Sequence, residues 1–223
     1  MNRDVLRGKK AAIFDMDGTI IDTLPIWGNV DIKFLSKRGL PVPDDYFKLI
    51  SLMSFEEAAQ YTKERFSLVD RPEEIIAEWI DFAEQEYVES AKVFPNVVEY
   101  LEELKSGGIK IALATSAIKR FYESALTSNN ILEFFDVLCS VDEAGAGKEK
   151  PDIYYLAMKK LEIKPCECVI FEDVEEAALS ALKTGASVYL VDRSGPLKNI
   201  HNDHININIK TIRGFDKAPI IKY

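Results

Sequence analysis

Residues 9–19 read KKAAIFDMDGT, an apolar run of β-strand character that stops at Asp15 and Asp17, followed by Gly18 and Thr19. In an open α/β sheet, ligands bind at the carboxyl ends of the strands, so a strand that ends in carboxylates predicts a site there. Asp15 can act as a carboxylate nucleophile, and Asp17 is near enough to exchange protons with a leaving group and with water. On these residues alone, an ordinary Asp-Gly turn explains the pattern almost equally well.

Length, composition and charge limit the function classes. With 223 residues, 47% of them hydrophobic, the chain can form one large domain or two unequal ones. The formal charge of −9 argues against nucleic acid or an anionic membrane as the main partner. No long apolar segment precedes the first strand, and no apolar run approaches membrane-spanning length. We therefore expect a cytoplasmic protein without a signal peptide. A monomer or a weak homodimer is expected as well, but the composition does not decide between them.

The segment after Thr19 has helical character. Apolar residues recur at helical spacing up to Gly39, and Ser54 with Glu57 has the pattern of a capping box at the start of a further helix. Another helix is expected from about Asp70, and no convincing strand is found between residues 22 and 90. Residues 22–90 are therefore predicted to be an all-α domain inserted after the first strand.

From Phe94 onward, apolar strands alternate with helices. Strands are expected at residues 109–114, 136–140, 168–171 and 187–191 and around Ile205–Ile209, with helices between them and a surface turn around His201 and His204. Alternation of this kind predicts a parallel sheet flanked by helices. Residues 1–21 and 91–223 would form this α/β core.

Polar residues follow successive predicted strands. They are Asp15 and Asp17, Thr115 and Ser116, Lys148 in a loop, and Glu172 with Asp173. Each has an ordinary explanation, since hydroxyls cap helices, loop lysines are usually solvated and acids favour helix N-termini. Their coincidence at one edge of a parallel sheet favours a site. Carboxylates without His or Cys suit Mg²⁺, and the hydroxyls with the lysine would complete a phosphate-sized anion pocket.

The ordered set of motifs resembles the haloacid dehalogenase-like hydrolases, a superfamily of aspartate-nucleophile phosphotransferases. Four segments of this chain are similar to the four motifs of that superfamily, in the same order. They are DMDGT at residues 15–19, Thr115-Ser116, GKEKPD at residues 147–152 and FED at residues 171–173. The resemblance covers essentially the whole chain and implies a Rossmann-like parallel-sheet core. The predicted helical insertion looks like the α-helical cap of the phosphoglycolate phosphatase and β-phosphoglucomutase subgroup.

The resemblance also implies roles for the site residues. Asp15 would form an aspartyl-phosphate, Asp17 would act as acid and then base, and Lys148 would offset the negative charge. Mg²⁺ would be held by Asp15, by Asp173 and by the backbone carbonyl of Asp17, with Glu172 nearby. Thr115 and Ser116 would bind the phosphoryl group, and Asp22 and Thr23 would form a hinge. The function implied is a Mg²⁺-dependent phosphatase acting on a small phosphorylated metabolite, of the sugar phosphate or phosphoglycolate type.

Departures from the family pattern keep two alternatives open. Val174 and Glu149 replace the usual serine of motif four and proline of motif three. Trp27 and Phe55 occupy the places where mutases often carry His and Arg. A β-phosphoglucomutase-like mutase would therefore need another cation in the cap, for which Lys63 and Arg65 are candidates. A non-catalytic regulatory protein with this fold is the second alternative.

Overall fold

The computed structural model describes residues 5–50, 53–193, 200–202 and 207–222. The strands are β1 Val5–Arg7, β2 Ala11–Phe14, β3 Ile21–Asp22, β4 Lys92–Val93, β5 Lys110–Thr115, β6 Val137–Ser140, β7 Cys168–Glu172, β8 Ser187–Val191, β9 Ile200–Asn202, β10 Ile207–Ile212 and β11 Ile220–Lys222. The helices are α1 Leu24–Lys37, α2 Tyr46–Ile50, α3 Phe55–Phe66, α4 Pro72–Glu89, α5 Val97–Ser106, α6 Lys119–Ser128, α7 Val141–Ala144, α8 Asp152–Leu161 and α9 Glu175–Leu182. Within the described ranges, no helix combines the length and the apolar character needed to cross a bilayer.

The chain forms two compact units. One consists of Met1–Asp22 together with Lys92–Tyr223, and it contains every strand. The other is Thr23–Ala91, which contains α1 to α4. The helical unit is therefore an insertion that leaves the first unit after β3 and returns to it at β4, and these two short strands pair antiparallel.

A seven-stranded sheet in the order β6-β5-β2-β7-β8-β10-β9 forms the centre of the first unit. All neighbours are parallel except β9, which runs antiparallel to β10. The four residues of β2 are buried, because helices cover both faces of the sheet. The predicted fold class, an α/β protein with a parallel central sheet, is confirmed.

Aromatic side chains fill one side of this sheet. The rings of Phe14 on β2 and Phe171 on β7 stack with their centroids 4.9 Å apart. Tyr100 on α5 meets both rings edge-on. On the other side, Ile13 and Ala112 belong to an apolar cluster with buried residues of α8 and α9. Packing on both faces makes the central strands rigid and thereby fixes the positions of the side chains at the carboxyl ends of these strands.

Within the helical unit, ion pairs and aromatic contacts join α1 to α4. The guanidinium of Arg38 lies 3.8 Å from the ring centroid of Phe34 and contacts Asp70 at 2.7 Å and Glu78 at 2.6 Å. Phe34 also meets Trp79 edge-on. The predicted capping box is confirmed, since Ser54 is the N-cap of α3 and exchanges hydrogen bonds with Glu57.

Several short elements were not predicted from the sequence. Strands β1, β3, β4, β9 and β11 have two or three residues each, which is too few to show a period. The expected turn at His201 is wrong, because His201 lies within β9. His204 lies outside the described residues. The last predicted strand is found as β10, although Ile205 also lies outside the described residues.

Helix α1 carries a buried carboxylate. Asp31 is 4% exposed, and its Oδ2 has no hydrogen-bond partner among the described residues. Burial raises the pKa of Asp31 from its ordinary 3.8 to about 7, because the charged form loses its hydration. The folded chain therefore favours the neutral acid.

We expect Asp31→Asn to stabilise the protein increasingly as the pH rises. Since the folded pKa lies above the unfolded one, the stability that protonated Asp31 contributes is present at pH 4 and is lost as the pH approaches 7. Asn keeps the shape and cannot ionise, so the stability difference in its favour should grow by ~2–4 kcal/mol between pH 4 and pH 8. Urea unfolding at both pH values measures it.

The matched control is Asp44→Asn, which makes the same chemical change at an exposed position. Its stability difference from the wild type should vary little with pH. An Asp31→Asn difference that is the same at pH 4 and pH 8 would contradict the buried-charge account.

Candidate active site

Three neighbouring parallel strands deliver the candidate residues to one edge of the sheet. Phe14, the last residue of β2, lies opposite Leu113 of β5 and Phe171 of β7. The next backbone N–H, that of Asp15, donates to the carbonyl of Phe171 at 3.0 Å. This register places Asp15 beside Glu172, so the parallel sheet itself brings together carboxylates that are far apart in the chain.

Lys148 links these carboxylates. Its Nζ donates a short hydrogen bond to Asp15 Oδ1 and another to Glu172 Oε1 at 2.8 Å. The hydroxyl of Tyr154 donates to the same Glu172 oxygen at 2.7 Å. The Glu172 side chain is 1% exposed and that of Lys148 10%. The lysine is therefore a buried structural counter-ion and not a solvated loop residue.

Burial and charge shift the pKa values of these groups. Burial lowers the pKa of Lys148, but Asp15 and Glu172 raise it by more, so that the lysine stays protonated. The pKa of Glu172 is raised chiefly by burial, with Lys148 acting in the opposite direction. That of Asp173 is raised by burial and then by the negative charge of Asp15. The acids thus outnumber their cation, and the cluster favours additional positive charge.

The carboxylates fit a metal ion. Asp15, Glu172 and Asp173 each offer one oxygen, and these oxygens lie within 4.8 Å of one another. Asp15 Oδ2 is buried and has no hydrogen-bond partner among the described residues, so one ligand oxygen is free for a cation. An all-oxygen donor set of this kind suits a hard divalent cation such as Mg²⁺.

The loop after β2 approaches Asp173 closely. Gly18 has φ +78°, and a Cβ built on it would lie 2.1 Å from Asp173 Oδ2. The turn is held by the Gly18 N–H, which donates to the carbonyl of Ile21 at 2.9 Å. Both the positive φ and the missing space require glycine here. Thr19 Oγ1 lies 3.5 Å from Asp173 Oδ1 on the same side.

A cleft of about 310 Å³ opens over the cluster. It is lined by Asp15, Asp17, Ser116, Lys148, Glu149, Glu172, Asp173, Val174, Glu176 and Ala177. Asp17 is half-buried and Ser116 is exposed. Thr115 is fully buried and is not among the lining residues, and its Oγ1 accepts a hydrogen bond from the N–H of Ala117 at 3.0 Å. The structure therefore gathers all the predicted residues at one edge, with Thr115 set behind the surface of the cleft.

Two residues of this neighbourhood were missed in the sequence. Tyr154 has the spacing of a core residue of α8, and only the structure shows that its hydroxyl also donates a hydrogen bond to Glu172. Arg193 lies just after the end of β8, and this position at the carboxyl end of a predicted strand could have indicated that Arg193 lies near the site. Its Nη2 donates to the carbonyl of Thr19 at 2.9 Å, and its guanidinium lies 3.7 Å from the ring centroid of Phe94. Arg193 therefore supports the loop that carries Asp17 and Gly18.

Comparison with known proteins identifies the family of this chain. The family model described as haloacid dehalogenase-like hydrolase matches residues 12–191. A phosphorylated carbohydrates phosphatase of Thermotoga maritima is 31% identical over 79% of this chain and 82% of that protein. Hexitol phosphatase B of Escherichia coli is 28% identical over 73% of this chain and 74% of that protein.

A solved structure extends the similarity to almost the whole chain. It is that of a Thermotoga maritima protein assigned provisionally as a β-phosphoglucomutase, with a TM-score of 0.77 and 27% identity, and it covers 96% of this chain and 94% of that one. The family model alone spans well over half of the chain. The chain therefore belongs to the haloacid dehalogenase-like hydrolase family.

Proposed function

We propose that this protein is a Mg²⁺-dependent phosphatase that hydrolyses a small phosphorylated metabolite, of the sugar phosphate or phosphoglycolate type, through an aspartyl-phosphate on Asp15. The observation that carries the proposal is that only one of the two Asp15 carboxylate oxygens has a hydrogen-bond partner among the described residues. Lys148 binds one of its oxygens, and the other is buried without a partner among the described residues. Family membership and relatives named as phosphatases support the reaction class.

In the first step, an oxygen of Asp15 attacks phosphorus and forms a new P–O bond as the bond to the leaving oxygen breaks. The leaving alkoxide needs a proton, and Asp17, half-buried at the same cleft, supplies it as the carboxylic acid. The products of this step are the dephosphorylated alcohol and phosphorylated Asp15, with Asp17 now ionised.

In the second step, water attacks the phosphorus of the aspartyl-phosphate. Asp17 takes a proton from this water and returns to its acid form, and the P–O bond to Asp15 breaks. Inorganic phosphate leaves and the Asp15 carboxylate is restored. One residue thus serves first as acid and then as base, which a carboxyl group beside the reacting atoms can do.

The negative charge of the site is the reason to expect a metal ion. A phosphate dianion would enter a cleft lined by six carboxylate side chains and one lysine. Asp15, Asp173 and the backbone carbonyl of Asp17 would hold Mg²⁺, with Glu172 bound to Lys148 beside them. The bound ion would supply Lewis-acid stabilisation of the phosphoryl oxygens. Lys148 holds Asp15 in place and offsets part of the negative charge that develops during transfer.

Hydroxyl groups would bind the phosphoryl oxygens. Ser116 lines the cleft, whereas Thr115 is buried behind it and uses its Oγ1 lone pair for the N–H of Ala117. The hydroxyl hydrogen of Thr115 can still donate, since a hydroxyl both donates and accepts. We assign Thr115 and Ser116 to phosphoryl binding on this basis.

We propose that the helical unit acts as a cap, with the hinge at Asp22 and Thr23. A cap that closes over the substrate would exclude water and select the leaving group. The cytoplasmic location and the monomeric or weakly dimeric state stay predictions.

The mutase alternative has one observation in its favour and one against it. The provisional assignment of the Thermotoga maritima structure favours it. Against it, Arg65, one of the two candidate cap cations, is held by both carboxylate oxygens of Asp45, at 2.7 and 3.2 Å. A cation engaged in this way is less available for a second phosphate.

The decisive experiment measures release of inorganic phosphate from sugar phosphates, hexitol phosphates, phosphoglycolate and nucleoside monophosphates, with Mg²⁺ and with a chelator. We expect Mg²⁺-dependent release, and we expect Asp15→Asn to lower kcat by at least ~10³-fold because it removes the nucleophile. Asp142→Asn, which changes an exposed carboxylate of α7, is the matched control and should keep full activity.

Other outcomes of this panel have definite meanings. Phosphate release by Asp15→Asn would refute the aspartyl-phosphate mechanism. Conversion of one hexose phosphate into its isomer without net release would identify a mutase. No turnover of any compound, although Mg²⁺ binds, would favour the regulatory protein.

Tyr154→Phe tests whether the hydroxyl that donates to Glu172 orients the metal site. The ring stays, and the hydroxyl loses its hydrogen bond to Glu172 at 2.7 Å together with a longer one to the carbonyl of Ala177 at 3.4 Å. We expect the Mg²⁺ concentration for half-maximal activity to rise ~10-fold, as is typical when a hydrogen bond to the ligand set is removed. Tyr155→Phe is the control, since its hydroxyl only contacts the carbonyl of Lys183 at 3.4 Å. Equal Mg²⁺ dependence of the two variants would exclude this role.

Gly18→Ala tests the close approach of the loop to Asp173. The new methyl group has no room, so either the loop or Asp173 must move, and we expect Mg²⁺ affinity to fall at least ~10-fold. The left-handed backbone adds a destabilisation of ~1–2 kcal/mol. Gly28→Ala in α1, where a Cβ meets nothing within 4 Å, should instead leave activity unchanged. Calorimetric titration with Mg²⁺ distinguishes them, and unchanged affinity in Gly18→Ala would be contrary to the geometry.

A further inference from the structure

The helical unit contains a cavity of its own, about 330 Å³ in volume. This volume lies in the range of ~300–1,000 Å³ that is usual for small-molecule sites. Its walls come from all four helices of the unit, and the lining residues are Trp27, Val30, Asp31, Phe47, Ile50, Met53, Phe55, Ala58 and Trp79. All nine lining residues therefore belong to the helical unit.

Aromatic rings form much of this wall. Trp27 and Phe55 meet edge-on with their ring centroids 5.5 Å apart. Phe47 and Phe55 are each 44% exposed, whereas Trp79 is almost completely buried. The cavity thus has an aromatic interior and aromatic residues that also reach solvent, as a site with an entrance would have.

Two buried polar atoms belong to residues of this wall and lack partners. Asp31 Oδ2 and Trp79 Nε1 have no hydrogen-bond partner among the described residues, and each residue is only 4% exposed. A buried carboxylate oxygen and a buried indole N–H left unpaired both cost stability. Once Asp31 ionises, above about pH 7, its carboxylate lacks a cation among the described residues that line the cavity, and a cationic ligand would supply the missing positive charge.

The charge of the lining selects the ligand class. Among the described residues that line the cavity, Asp31 is the only ionisable one, so none of them is a lysine or arginine that would neutralise it. Aromatic faces attract organic cations, and a carboxylate adds a full opposite charge. A neutral polyol fits less well, because most of the described wall is apolar.

We propose that the helical unit binds a small organic ammonium compound. The ammonium group would lie against Asp31 and the aromatic rings. The raised pKa of Asp31 agrees with this, since a carboxylate that lacks a cation is destabilised and a bound ammonium ion would restore its charged form. The inference goes beyond the proposed phosphatase activity and needs none of its residues.

The chain provides its own reporter for this site. It contains two tryptophans, and both line the cavity. A ligand that enters should change the intrinsic tryptophan fluorescence of the full-length protein. The probes are choline, its neutral isostere 3,3-dimethylbutan-1-ol, and sorbitol as a polyol, each titrated at pH 8.

We expect choline to change the emission saturably and to bind at least ~10-fold more tightly than the neutral isostere, because only choline carries the charge. Asp31→Asn should abolish this preference while its affinity for the isostere stays the same. Asp44→Asn, an exposed change of the same kind, should behave as the wild type. Circular dichroism checks that both variants are folded.

Three results would overturn the proposal: equal affinity of the wild type for choline and its isostere, binding of sorbitol alone, or no response to any probe. The first would indicate a merely apolar cavity and the second a polyol site. Asp15→Asn should bind choline as the wild type does, whether or not the protein proves to be a phosphatase. Failure of this inference is thereby distinguishable from failure of the proposed function.

Discussion

The ion pair of Lys148 with Asp15 and Glu172 is the interaction on which the candidate site depends. Two carboxylates at the ends of adjacent parallel strands would repel each other in a buried place, and one lysine from the loop after α7 joins them. Breaking a buried pair of this kind leaves an uncompensated charge, which is strongly destabilising. The lysine therefore has a structural role as well as its proposed catalytic one.

The surroundings of this ion pair are built to keep its geometry. Tyr154 binds the shared oxygen of Glu172, Arg193 binds the backbone of the loop after β2, and Gly18 lets this loop approach Asp173. These contacts come from separate parts of the chain and meet only because the strands are parallel and in register. Even so, negative charge remains in excess, which is the physical reason for expecting a divalent cation.

In the helical unit, the buried acids Asp31 and Glu86 differ in whether a basic side chain accompanies them. Among the described residues of the cavity wall, none is a lysine or arginine that would pair with Asp31, whereas Glu86 of the same unit is paired with Lys33 at 2.6 Å. Folded chains usually satisfy buried charges, and Glu86 follows that rule. Asp31, whose Oδ2 has no partner among the described residues, lines an aromatic cavity, where the proposed external cation would take the place of the missing partner.

The sequence by itself determined the fold class and the identity of the candidate catalytic residues. Buried parallel strands appear as apolar runs such as AAIF, and residues such as Asp15 and Glu172 directly follow or end these runs, so the edge they share was predictable. Only the tertiary structure decided which groups these side chains contact. The hydrogen bond of Tyr154 to Glu172, the burial of Thr115 and the lack of a partner for Asp31 Oδ2 among the described residues all depend on contacts across the fold. Periodicity shows which face of a helix is buried, but it does not show which polar atom that face will meet.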